Sequence, residues 1–271
     1  MKNFIEIRIY MPDEATRYIM SENFLLIDYE GVEEEGNFLI AYCEEDKYDE
    51  EVLKTMLDFP ETTFTKQIIP AQNWNALWES NFEPVVVDDF AAIRADFHEP
   101  IKNVQHEIII TPKMSFGTGH HATTFMMMQQ MREIDLNNKS VLDFGTGTGI
   151  LAILAEKLGA KNITAIDNDD WSIENAKENF EKNNCEKITL IKDDSVSAKE
   201  NFDIILANIN KHIILENIDQ LQAALLPNGC LLLSGLLAED EKDILLKSAS
   251  LTLKHVNTIH RNQWISILLS K

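Results

Sequence analysis

Residues 140–167, SVLDFGTGTGILAILAEKLGAKNITAID, decide the fold. An apolar run closes on Asp143, breaks at Gly145, Gly147 and Gly149, resumes as a helical pattern through Leu158, and ends in a second apolar run at Asp167. A short apolar strand, released by glycines and followed by apolar residues at helical spacing, makes a β-turn-α-β unit. Five of the ten glycines (Gly117, Gly119, Gly145, Gly147, Gly149) fall between residues 117 and 149. Concentrated there, they supply backbone that a ligand can approach closely.

An acidic residue ending the second strand of such a unit accepts the hydroxyls of a ribose, so Asp167 and the turn suit an adenosine-bearing cofactor. The element reads Gly145-Thr-Gly147-Thr-Gly149, not the GxGxxG of dinucleotide folds, and Asp143 stands at the mouth of the turn. A carboxylate there repels a pyrophosphate on the helix N-terminus but attracts the ammonium and sulfonium of S-adenosylmethionine (SAM). The charge therefore favours SAM over NAD. A glycine turn that serves the sheet alone, with no ligand, is the remaining alternative.

Beyond Asp167 the pattern runs helix (171–182), strand (188–191), an acidic loop at Asp193-Asp194, strand (202–207), helix (212–225), strand (230–233), helix (239–247) and two closing strands near 252–258 and 264–269. Alternating β and α implies a doubly wound parallel sheet whose ligand lies beyond the strand ends where the strand order reverses. With the first and fourth strands flanking that point, Gly145 and Asn208 face one another across the ligand. Asp193 or Asp194 either binds an adenine amino group or belongs to a plain turn. Upstream, PKMSFGTGHHATTFMMMQQM gives a tight loop at Gly117 and Gly119, then Thr123 and Thr124 before a helix to about Glu133. Hydroxyls and free N–H groups at a helix start suit carboxylate or ribose oxygens. His120 and His121 are adjacent and lack metal-ligand spacing, so hydrogen bonding or loop packing is their expected role.

The first 70 residues read βαββαβ, a small ferredoxin-like domain: a strand over 3–11, a helix over 13–24, LLIDYE, a turn at Gly31 to Gly36, NFLIAYC, a helix over 48–57 and a strand over 62–69. It carries no cluster of catalytic residue types, which makes it a recognition module. Trp74, Leu77 and Trp78 share one face of a connecting helix over 71–83, and Pro84 opens the larger domain, 84–271.

Net charge is −21 at pH 7. Residues 1–60 alone hold five Lys and Arg against sixteen Asp and Glu. Such a field disfavours a nucleic-acid substrate and favours a basic partner. The N-terminus MKNFIEIRIYMP alternates apolar and charged residues, unlike a signal peptide, and no apolar run reaches membrane-span length. Cys43, Cys185 and Cys230 lack metal spacing and read as free thiols of a cytoplasmic protein.

Four segments together resemble the ribosomal protein L11 methyltransferases: NWNALWESNFEPVVV, FGTGHHATT, LDFGTGTGILAILAEKLGA with its AID, and LANIN, spanning roughly residues 72–236. Two positions depart from the pattern: Ala122 stands where many relatives have proline, and Ile209-Asn210 where several read Ile-Leu. The resemblance implies SAM contacts at Thr124, Gly145, Asp167 and Asn208, with Asn208 also orienting the acceptor amine, and no metal. It implies trimethylation of lysines and the N-terminal amine of L11 by a cytoplasmic enzyme, taken as a monomer. The alternatives are methylation of another translation-machinery protein, or a SAM-fold module that binds basic proteins without turnover.

Overall fold

The computed structural model describes residues 3–13, 16, 17, 20, 21, 23, 24, 29–57, 63–69, 83–112, 121–196 and 201–271. The chain forms two compact units, Met1–Phe82 and Glu83–Lys271. The expected connecting helix with Trp74, Leu77 and Trp78, and the loop of Gly117, Gly119 and His120, lie outside the described residues.

The first unit holds β1 (Phe4–Tyr10), β2 (Gly31–Glu35), β3 (Phe38–Glu44), α1 (Glu50–Met56) and β4 (Thr63–Ile69), with further helical residues at Thr16, Arg17, Met20, Ser21, Asn23 and Phe24. Its sheet runs β2-β3-β1-β4, every neighbour antiparallel. Alternation sends Ile5, Ile7 and Ile9 of β1, and Leu39, Ala41 and Cys43 of β3, into one core with Phe24 and Leu53. The intervening residues Glu6, Arg8, Tyr10, Phe38 and Tyr42 therefore share the opposite face. Asp49 starts α1 by accepting from the Glu51 and Val52 N–H groups. The expected turn over Gly31 to Gly36 is instead the edge strand β2, and the chain reverses at Gly36 and Asn37. An edge strand reading GVEEE brings only Val32 against the core, so it carries no period-two signal.

The second unit opens with a three-stranded sheet, β5 (Val85–Val87), β6 (Ala91–Ala95) and β7 (His106–Ile110), and continues with α2 (Ala122–Glu133). The main sheet then takes β8 (Ser140–Phe144), α3 (Ile150–Lys157), β9 (Asn162–Asp167), α4 (Asp170–Lys182), β10 (Ile188–Lys192), β11 (Phe202–Asn208), α5 (Lys211–Ala224), β12 (Leu225–Leu237), α6 (Glu241–Ser250), β13 (Lys254–Arg261) and β14 (Trp264–Ser270). Strand order is β10-β9-β8-β11-β12-β14-β13. The first five are parallel, and the order reverses between β8 and β11 as expected. The last two strands form an antiparallel hairpin, with β14 inserted beside β12. Only Asn262 and Gln263 join β13 to β14, too short a link for a crossover back to a parallel strand.

Candidate functional site

A cleft of about 760 Å³ opens at the switch point, and its described lining residues come from the second unit. The glycine turn hangs from β9: the N–H groups of Gly145 and Thr146 both donate to the Ile166 carbonyl oxygen, each at 2.9 Å. Asp167 closes the other side. Its Oδ2 accepts from Gly147 N–H at 2.8 Å and its Oδ1 from Asp169 N–H at 3.1 Å. Asn179 of α4 donates through Nδ2 to the Thr148 carbonyl oxygen at 2.8 Å, pinning the far end of the turn.

Asp143 does not sit at the mouth of this turn. It is 1% exposed, lies beneath the cleft, and is not among its lining residues. Its Oδ2 accepts from Thr146 Oγ1 at 2.6 Å and Ala152 N–H at 3.2 Å, while Oδ1 has no partner among the described residues. Burial pushes its pKa up to about 6 against the pull of those two hydrogen bonds, and the Asp167 charge adds to the rise. The charge that discriminates between ligands therefore comes from other carboxylates. Asp167, Asp193, Asp194 and Glu216 line the cleft, and none of its described lining residues is Lys or Arg. A phosphate is repelled and a cation attracted, by lining charge rather than by Asp143.

Of the pair Asp193 and Asp194, the first forms the plain turn. Asp193 Oδ1 accepts from Asp194 N–H, Ser195 N–H and Ser195 Oγ, and the bonds from Ser195 hold its carboxyl below the ordinary range. Asp193 thus caps its own turn. Asp194 donates its N–H into that turn and lines the cleft beside it.

Across the cleft, Asn208 ends β11, and its Nδ2 donates to Thr124 Oγ1 at 3.2 Å. Thr124 lies in the first turn of α2, which His121 caps by accepting from Thr123 N–H. That capping is the hydrogen-bonding role expected of the histidine. Thr124, Gly145, Asp167 and Asn208 all line the one cleft.

Two further residues complete it and were not singled out in the sequence. Trp264, from β14, enters the lining with its ring edge against His121, centroids 4.5 Å apart. Gly235, in β12 at φ +83°, lies against the backbone of Ile209, where a Cβ would fall 2.3 Å from the Ile209 carbonyl oxygen. The dipeptide Ser234-Gly235 inside an apolar strand was the available signal for a close backbone approach. Among the described residues no group of three or more His, Cys, Asp or Glu could hold a metal ion.

The lining fits SAM. Asp167 stands where ribose hydroxyls are accepted, the Gly145 backbone is open to close approach, and the acidic, base-free wall suits a cation. A family model described as ribosomal protein L11 methyltransferase (PrmA) matches residues 10–271. A ribosomal protein L11 methyltransferase of Chlorobaculum parvum is 41% identical over 262 residues, covering 90% of each chain. One from Phocaeicola vulgatus is 39% identical over 244 residues, covering 87% of this chain and 86% of its own. The crystal structure of a ribosomal protein L11 methylase from Lactobacillus delbrueckii subsp. bulgaricus superposes with a TM-score of 0.66 at 30% identity, covering 70% of this chain and 99% of that one.

Proposed function

The chain belongs to the ribosomal protein L11 methyltransferase family, and from that premise we propose that it uses SAM to methylate lysine side chains and the N-terminal amine of ribosomal protein L11, as far as the trimethylated state. The observation that carries the reading is the Asn208–Thr124 pair facing the glycine turn and Asp167 across one cleft.

Asp167 accepts the ribose hydroxyls, while Gly145 and Thr124 contact the cofactor. Bound there, SAM supplies a methyl carbon made electrophilic by its sulfonium. The acceptor nitrogen has to arrive with a free lone pair. At pH 7 roughly one α-amino group in ten is neutral, against about one lysine in several thousand. The Asn208 amide spends its Nδ2 on Thr124, and its Oδ1 has no hydrogen bond among the described residues. That oxygen accepts an N–H of the amine and aims the lone pair, contributing alignment rather than proton abstraction. Each methylated amine can shed a further proton until three methyls leave no lone pair, which makes trimethylation the stopping point.

The first unit recognises the basic acceptor. Supporting this, Tyr42 on the open sheet face has its hydroxyl pKa raised by burial and then by the nearby Glu33 and Glu6. No helix among the described residues is long and apolar enough to cross a membrane, and ribosomal protein as acceptor points to the cytoplasm. A cleft lined by four carboxylates, with no Lys or Arg among its described lining residues, supports a protein acceptor over a nucleic-acid substrate.

Intact-protein mass spectrometry of unmethylated L11 incubated with enzyme and SAM tests the reading. Stepwise gains of one methyl, suppressed in Asn208→Ala, are expected. Label on a different protein of a methyl-deficient extract would replace the acceptor, and no label anywhere would leave a binding module.

A further inference from the structure

The cleft divides at the switch point. The ends of β8, β9 and β10 bring the glycine turn, Asp167, Asp193 and Asp194, which form the adenosine half in a doubly wound sheet. The ends of β11, β12 and β14 bring Asn208, Gly235 and Trp264. Helix α5 forms the wall of this second half. It buries Ile214, Ile218 and Leu221 against the sheet, and turns Ile213, Glu216, Asn217 and Gln220 to the cleft. Those four stand at i, i+3, i+4 and i+7, a single helix face.

The charges of α5 are not alike. Lys211 is tied to Asp240 at 2.9 Å and Asp243 at 2.8 Å, and Asp219 to Lys247 at 2.5 Å. Glu216 is exposed and has no ion pair or hydrogen bond among the described residues. It is also the one carboxylate among the described lining residues of the second half. A carboxylate there stabilises a cation, and the first half has carboxylates of its own in Asp167 and Asp194.

We propose that Glu216 is a specificity-determining residue, which draws the acceptor into the second half of the cleft as its ammonium form and so selects cationic side chains over neutral ones. The inference rests on the amine-methyltransferase reading above. Nearly every lysine reaches the enzyme protonated. An ammonium entering a cleft with Asn208 as its described polar end group leaves bulk water for a partly enclosed space. A carboxylate on the wall offsets that loss before the proton departs. Glu216 acts on capture, and Asn208 on alignment. Gln220 extends the same face with an amide that can hydrogen-bond acceptor backbone, as does the Oδ1 of Asn217, whose Nδ2 donates to the Ile213 carbonyl oxygen at 2.9 Å.

Initial-rate kinetics on unmethylated L11 with Glu216→Gln and Glu216→Lys test this, beside calorimetric SAM affinity and thermal unfolding of each variant. An exposed side chain changed to its isostere leaves the fold intact, so the melting midpoint of Glu216→Gln stays at the wild-type value. The acceptor KM rises about three- to fivefold in Glu216→Gln, the scale of one partly exposed ion pair, and further in Glu216→Lys. SAM affinity is unchanged in Glu216→Gln, and its acceptor KM depends less on salt than that of the wild type. A purely structural role would move the melting midpoint and SAM affinity instead. Wild-type turnover with an unchanged acceptor KM in both variants overturns the inference alone. Absence of wild-type turnover on any amine acceptor overturns the functional reading and the inference with it.

Discussion

Asp143 is a carboxyl with two hydrogen bonds on one oxygen and none among the described residues on the other, sealed under the glycine turn. Its pKa, 3.8 in the free side chain, is pushed up to about 6 by burial in the folded protein. Between those values the native state binds the proton that the unfolded state has lost, so stability falls as pH rises from about 4 to about 6. Above that window the buried charge costs on the order of 3 kcal/mol. A cation in the cleft above partly offsets the cost, and the cofactor therefore binds the ionised form better. Calorimetry should find SAM bound a few-fold more weakly at pH 5 than at pH 7, about fivefold if binding lowers the Asp143 pKa by about one unit. In Asp143→Asn the oxygen can keep both hydrogen bonds while the amide leaves a donor unpaired, at about 1–3 kcal/mol. The melting midpoint at a single pH is therefore a poor test. The slope decides: in the variant, both the decline of stability from pH 4 to 6 and the pH dependence of SAM affinity should flatten. Parallel curves for variant and wild type would remove Asp143 from this role.

The loop between β11 and α5 is held from two sides by the absence of side chains. A Cβ on Gly145, at φ +75°, would fall 2.3 Å from Ile209 Cγ2, and one on Gly235 would lie 2.3, 2.7 and 2.9 Å from the Ile209 O, C and N atoms. A methyl at Gly145 meets a side chain that can rotate, whereas one at Gly235 meets backbone that cannot. Gly235→Ala should displace Ile209 and with it Asn208, adding to the roughly 1–2 kcal/mol of left-handed strain. Thermal unfolding should show the loss of stability, and turnover on L11 should fall more than about tenfold, a barrier increase above about 1.4 kcal/mol. Gly36 provides the control: φ is +62° but nothing lies within 4 Å of its added Cβ. Gly36→Ala should carry the strain alone and leave turnover unchanged. Equal loss of activity in both would sink the clamp. Sequence reading reached the β8-turn-α3-β9 unit and Asn208 because each is announced locally, by apolar period, glycine spacing or a motif after a strand. It did not reach Gly235 or Trp264, whose roles arise from contacts with Ile209 and His121, far away in the chain. It also put Asp143 at the cleft mouth, because spacing gives the order of residues along a strand but not which oxygen faces a neighbour's N–H.

At the scale of the molecule, the −21 net charge is not a uniform coat. In the second unit the cleft is lined by four carboxylates and no described Lys or Arg. In the first, the open face of the sheet groups Glu6 and Glu33 around Tyr42, beside Arg8, which is bound to Glu35 at 2.6 Å and stacks over Phe38 at 4.8 Å from the ring centroid. Glu35 is thus already spent on Arg8, while Glu6 and Glu33 remain to meet a cationic partner. The two surfaces differ in their response to salt. Charges on an exposed sheet face are screened within about 10 Å at 0.1 M salt and about 3 Å at 1 M, whereas groups in a cleft are screened less. Raising salt over that range should therefore raise the L11 KM severalfold while SAM affinity changes little. The double variant Glu6→Gln, Glu33→Gln should show a higher KM at low salt and a shallower salt dependence, with kcat unchanged because neither residue lies in the cleft. A wild-type KM that ignores salt would mean that shape and the aromatic surface of Tyr10, Phe38 and Tyr42 do the recognising. A double variant with the wild-type slope would mean that the acceptor docks on some other part of the acidic surface.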